Sequence, residues 1–166
     1  VDHYRKALIL EKETPGFNND RIANILTNLG SAYFEQHDYQ KAMPCYIKAE
    51  NYCRRSKLLD TITLARLFIN TGSVFYKMNE FEKALAYYHQ AISSLTNEDG
   101  YYSKELLLAN RNIACAYAKL GRDDSCSYVL HNLIRQEENQ PKYQRPDLAE
   151  LFRMLGNPFL GEIGEK

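Results

Sequence analysis

The chain has 166 residues, 45% of them hydrophobic and 25% charged, which is ordinary for a folded soluble protein. Lys plus Arg is 21 and Asp plus Glu is 21, so the net charge is zero and a basic nucleic-acid binder or a polyacidic tail is excluded. No apolar run approaches the roughly 20 residues that cross a bilayer.

The opening Val1-Asp2-His3-Tyr4-Arg5-Lys6 lacks the shape of a signal peptide. It also lacks an initiator Met, as expected of a piece cut from a longer, multi-domain chain. Residues 2–12 read as a helix, stopped by Thr14-Pro15-Gly16. Its Tyr4-x-x-Ala7 matches Tyr39-x-x-Ala42 and Phe81-x-x-Ala84, so it is expected to be the second helix of a partial repeat.

Residues 19–56 form a first repeat. Asn19 or Asp20 can cap a helix to about Gln36, with Ile22, Leu26, Leu29, Gly30 and Tyr33 on one stripe. His37-Asp38 turns, and a second helix follows from Tyr39 to Ser56. Residues 61–95 form a second repeat, with Asn79-Glu80 as its turn. Residues 101–137 form a third, less regular one, with Tyr101-Tyr102 at its start and Gly121-Arg122-Asp123-Asp124 as its turn. Pro146-Asp147 starts a closing helix at 146–156 that covers the open end of the stack, followed by a tail at 157–166.

The register is strict. Leu29-Gly30-Ser31-Ala32-Tyr33 returns as Thr71-Gly72-Ser73-Val74-Phe75 and as Ile113-Ala114-Cys115-Ala116-Tyr117, 42 residues apart each time. The pattern Leu29-Gly30-x-x-Tyr33, then Tyr39-x-x-Ala42-x-x-x-Tyr46-x-x-Ala49, resembles the tetratricopeptide repeat. The usual unit is about 34 residues, so these repeats are long. They look like the long repeats of kinesin light chains and Pins-type spindle regulators. The resemblance implies an all-α, right-handed solenoid of antiparallel helix pairs, with the first helix of each pair lining a concave groove.

Count each repeat so that Gly30, Gly72 and Ala114 are its eighth residue. At 100° per residue, positions two, five, six, nine and thirteen then lie opposite the packed stripe. The sixth residue is Asn28, Asn70 and Asn112. An amide offers one acceptor and two donors, so three in register can hold a peptide backbone in either direction. Similar Asn ladders in the related long repeats imply that role here.

Around the ladder stand Asn24, Thr27, Ser31 and Glu35, then Arg66, Ile69, Ser73 and Lys77, then Leu108, Arg111, Cys115 and Lys119. Four cations face one carboxylate. Phe34 and Tyr76 are expected at the rim. The expected ligand is therefore a protein or peptide segment with acidic residues beside an apolar one. The expected binding set is Asn28, Asn70, Asn112, Ser31, Arg66, Ser73, Lys77, Arg111 and Lys119. Repeats that clamp chaperone tails carry Lys and Asn at five and nine, Asn at six of the next repeat, and Lys and Arg at two and six of the third. Here those places hold Thr27, Ser31, Asn70, Leu108 and Asn112, so that ligand is not expected.

Cys45, Cys53, Cys115 and Cys126 form no CxxC and pair with none of His3, His37, His89 or His131. No metal or other cofactor is expected, and the thiols suggest a reducing, cytoplasmic setting. No GxGxxG, GxxxxGK[ST], HExxH or GxSxG is present, so an enzyme is not expected. The sequence points to a peptide-binding adaptor or scaffold. A structural segment that works through its convex face or ends, or a ligand-sensing regulatory unit, are the rival readings.

Overall fold

The structure, a computed structural model, describes residues 1–14, 18–56, 61–95, 104–138, 151, 153–154 and 156. Seven helices occur among them: α1 (Asp2–Glu13), α2 (Asn19–Glu35), α3 (Tyr39–Arg55), α4 (Thr61–Lys77), α5 (Phe81–Leu95), α6 (Lys104–Lys119) and α7 (Asp123–Glu138). Tyr101-Tyr102 and the tail lie outside the described residues. Of the expected closing helix, only 151, 153, 154 and 156 are described. All four are helical, and Leu151 and Met154 are buried against the third repeat.

Helices α2–α3, α4–α5 and α6–α7 are antiparallel pairs joined by tight turns of one design. His37, Asn79 and Gly121 each take the left-handed conformation, with φ of 58°, 61° and 66°. The next amide then reaches back five residues: Asp38 N–H to the Tyr33 carbonyl, Glu80 to Phe75 and Arg122 to Tyr117, each at 2.9 Å. This closes the exposed carbonyls of the first helix. Asp38 then caps α3 by accepting from the Lys41 amide at 3.2 Å. Asn18 caps α2 in the same way, accepting from the Asp20 amide at 2.8 Å.

The first helices α2, α4 and α6 stack on one another, whereas α3 and α5 lie between successive first helices on the outside. The stack therefore curves with its first helices innermost, an all-α solenoid. Its main core runs from Ile22 to Ala116, with Leu26, Leu29, Tyr33, Phe68 and Ile113 among its buried members. The third repeat has a second cluster around Cys126, Leu130 and Leu133.

Within a pair the decisive contact is ring against glycine. A Cβ built on Gly30 would stand 2.6 Å from Cε1 of Tyr46, and one on Gly72 would stand 2.6 Å from Cε1 of Tyr88. Both rings are buried. The third repeat has Ala114 where the others have glycine, and opposite it Leu130 where the others have tyrosine. The extra methyl is thus matched by the missing ring. Asn110 occupies the position filled by Leu26 and Phe68, and it satisfies its amide on the Leu106 carbonyl at 3.0 Å.

Helix α1 packs on α2 as α3 packs on α4. Buried Glu11 meets Nε of Arg21 at 3.4 Å, and Arg5 donates to the Tyr33 hydroxyl at 2.5 Å. The register of α1 differs from the expected match to Tyr39-x-x-Ala42. Glu13, its last residue, lies 42 residues before Arg55, the last of α3, so Tyr4 and Ala7 are the counterparts of Tyr46 and Ala49.

Two predictions follow from the turns and the ring contact. Gly121→Ala meets no atom within 4 Å, so its cost is purely that of the left-handed backbone. Chemical denaturation should show a loss of about 1 kcal/mol. Gly72→Ala should cost about 2–3 kcal/mol by overpacking. In a Tyr88→Leu background the same change should cost almost nothing, because the pair then matches Ala114 and Leu130; a double-mutant cycle with no coupling would contradict this.

Candidate binding groove

The inner face of α2, α4 and α6 carries the sequence-predicted residues. Asn28 is exposed, and Asn70 and Asn112 are half-buried. Among the described residues, none of the three amides has a hydrogen-bond partner within the protein. They fall 42 residues apart on successive helices of one layer.

Arg66, Lys77 and Lys119 are exposed and Arg111 is half-buried. Arg66 lies 3.5 Å from the Thr63 hydroxyl on its own helix. Ile69, expected in the groove, is instead 2% exposed. As the middle helix of the layer, α4 is flanked on both sides, and that position is sealed by its neighbours. The corresponding Thr27 on α2 and Arg111 on α6 are half-buried.

Ser31 and Ser73 are engaged inside the protein. The Ser31 hydroxyl lies 3.1 Å from the Tyr46 hydroxyl. Tyr88 donates to Ser73 at 3.5 Å, and Ser73 donates to the Ile69 carbonyl at 2.9 Å. Burial raises both tyrosine pKa values, with the serine hydrogen bond a smaller opposing effect. Both rings therefore stay protonated and neutral.

A cavity of about 180 Å³ opens between α2, α4 and α6, lined by Phe34, Ser73, Tyr76, Lys77, Tyr88, Asn112 and Cys115. It brings together Ser73, Lys77 and Asn112 from the expected set, along with the rim aromatics Phe34 and Tyr76. Each rim ring is held at its turn by the first aromatic of the following helix. Phe34 packs on Tyr39 and Tyr76 on Phe81, with centroids 5.5 and 5.3 Å apart. Asn28, Asn70, Ser31, Arg66, Arg111 and Lys119 do not line this cavity.

Tyr88 also lines the cavity and is absent from the binding set expected from the sequence. The signal was Gly72-Ser73 in the facing helix: side chains that small let the ring reach through to the inner face. Cys115 lines the cavity and Cys126 lies in the core of the third repeat. Burial pushes the Cys126 thiol up to about 11.

A thiol pKa raised from 9.0 keeps its proton in the fold and releases it on unfolding. That stabilisation is complete below about pH 9 and is lost as pH rises towards 11. At pH 8 iodoacetamide should alkylate Cys126 in the folded chain roughly a hundredfold more slowly than an ordinary thiol. Peptide mass spectrometry reads the rate, and equal labelling of folded and unfolded Cys126 would contradict the buried placement.

Residues 21–97 match the tetratricopeptide repeat family model. Comparison with curated protein sequences gives no match. Among solved structures the chain is similar to BtubC (BKLC) from P. vanneervenii, with a TM-score of 0.85 and 22% identity over 96% of this chain. The match spans 63% of that protein's length. The chain is also similar to the first repeat domain of Spaghetti (RPAP3) bound to the HSP90 peptide SRMEEVD, with a TM-score of 0.57 and 18% identity over 82% of this chain and 95% of that one. The second repeat domain of human RPAP3, in complex with the HSP70 peptide SGPTIEEVD, gives a TM-score of 0.53 and 19% identity over 81% and 95%. At these identities the likeness is one of fold.

Proposed function

We propose that the tetratricopeptide repeats of this chain form a protein-interaction module that takes a peptide segment of a partner in the inner groove, as an adaptor or scaffold. The observation that carries the reading is the row Asn28, Asn70 and Asn112, whose amides have no partner in the protein among the described residues and of which Asn112 lines the cavity. Surface Asn is a poor helix former, so three in strict register favour a use other than helix stability.

The ligand chemistry follows from the lining. The rings of Phe34, Tyr76 and Tyr88 suit one apolar side chain. Lys77 at the same cavity, with Arg66, Arg111 and Lys119 on the inner face, suits neighbouring carboxylates. Two fold neighbours carry acidic chaperone peptides. In this chain the clamp positions hold Thr27, Ser31, Asn70, Leu108 and Asn112, which supports a different acidic ligand.

A library of displayed random peptides provides the test. The wild-type chain should enrich sequences with acidic residues beside a large apolar one. Replacing all three Asn by Ala should weaken the best binder roughly a hundredfold, at about 1 kcal/mol per lost hydrogen bond. The thermal melt should stay unchanged or rise, since Ala is the better helix former. Undiminished affinity in the triple variant would sink the reading.

A further inference from the structure

The second helices of the three pairs, α3, α5 and α7, differ in charge on their exposed sides. Helix α3 exposes Lys41, Lys48, Arg54 and Arg55. On α5 Glu82 and Lys83 cancel, and on α7 Asp123, Asp124 and Glu138 outweigh Arg135. Lys41 and Arg54 pair with Asp38 and Glu50 of their own chain, yet stay 60% and 57% exposed. Arg122, at the turn into α7, is paired with Glu82. Each charged end also exposes one large apolar side chain. Ile47 on α3 is 47% exposed and Tyr128 on α7 is 70% exposed. On the middle helix the place of Tyr128 is taken by exposed Ala86.

We infer that this convex face is the seat of a second copy of the chain, paired face to face about a two-fold axis that runs along α5. The three helices begin 42 residues apart, at Tyr39, Phe81 and Asp123, so residues 84 apart in sequence stand at one level of α3 and α7. Rotation about this axis lays α3 of each protomer on α7 of its partner and keeps the levels. Arg54 then meets Glu138 of the partner. Lys41 comes within a turn of Asp123 and Asp124, and the ring of Tyr128 covers Pro44 and reaches Ile47. Symmetry makes each contact twice. The other two-fold axis in the face, across the helices, would lay α3 on α3 and set cation against cation, so charge selects the axis along α5.

The shape of the face agrees with this pairing. A convex face meets its copy first along the middle helix. There Ala86 is short, and the long side chains rise on the flanks, where the gap is wider. Helices of 15 to 17 residues are about 25 Å long, and three side by side span roughly 30 Å. Their face is close to the ~800 Å² per partner of a standard interface. Helix α1 lies beyond α3, outside the pairing. The inner face of α2, α4 and α6 points away from the axis, so both grooves stay open.

Sedimentation equilibrium of the full chain tests the pairing. The wild-type chain should reach twice its single mass and dissociate more readily as salt rises. Arg54→Glu and Glu138→Arg should each raise the dissociation constant roughly tenfold or more. Their thermal melts should hardly move, because an exposed ion pair contributes little to stability. An equimolar mixture of the two variants should recover the wild-type constant, since the reversed charges then face each other across the axis. Tyr128→Ala should weaken pairing roughly tenfold. The triple Asn to Ala variant should pair as the wild type does, which separates this contact from peptide binding. A wild-type chain that stays at single mass would overturn the inference, as would a mixture that fails to recover. A mass that keeps growing with concentration would overturn it too, because the contact would then be head to tail, and so would loss of pairing in the triple Asn variant.

Discussion

The contact on which the array depends is the tyrosine ring of each outer helix laid on the bare Cα of the inner one. With no Cβ at Gly30 or Gly72, the ring of Tyr46 or Tyr88 lies flush against the backbone and the two helices close. Each buried ring contributes roughly 2–3 kcal/mol of apolar transfer, and its hydroxyl is satisfied by the serine that follows the glycine. The third pair meets the same spacing differently, with Ala114, Cys115 and Leu130 in place of glycine, serine and tyrosine. Its core gathers into a separate cluster with Leu151 and Met154.

This contact also decides what is left for the groove. Ser31 and Ser73 sit on the inner face by angle, yet their hydroxyls are committed to the tyrosines behind them. Position six lies further round the helix, where neither ring nor stripe reaches. Among the described residues, the amides of Asn28, Asn70 and Asn112 are left without a hydrogen-bond partner in the protein. The cavity opens where the ring of Tyr88 comes through beside Ser73 and meets Phe34, Tyr76 and Asn112.

The helices and the pairs were legible because a strict period of 42 residues carries both the apolar stripe and the turn signals. The angle per residue also sets the Asn row apart from the packed stripe, and in the structure Asn28 is exposed while Asn70 and Asn112 are half-buried. Ile69 was not: a helical wheel holds no information about how many neighbours a helix has, and α4 has one on each side. The register of α1 was not legible for a different reason. Tyr-x-x-Ala occurs twice in α3, at Tyr39–Ala42 and Tyr46–Ala49, seven residues or two turns apart. A short motif alone cannot choose between the two, and the end of the helix at Glu13 does.

The shape of the inner face repeats, but its charge does not. Position thirteen is Glu35 in the first repeat, Lys77 in the second and Lys119 in the third. Positions two and five add Arg66 and Arg111 to the later repeats only. An amide ladder holds a peptide backbone in either direction and ignores its side chains. Under the peptide-binding reading, direction must then come from this asymmetry. A ligand lies more favourably with its carboxylates towards α4 and α6 than towards α2, where Glu35 repels them. The packing that builds the solenoid sets the spacing of the ladder, and the residues the packing leaves alone give the groove its polarity.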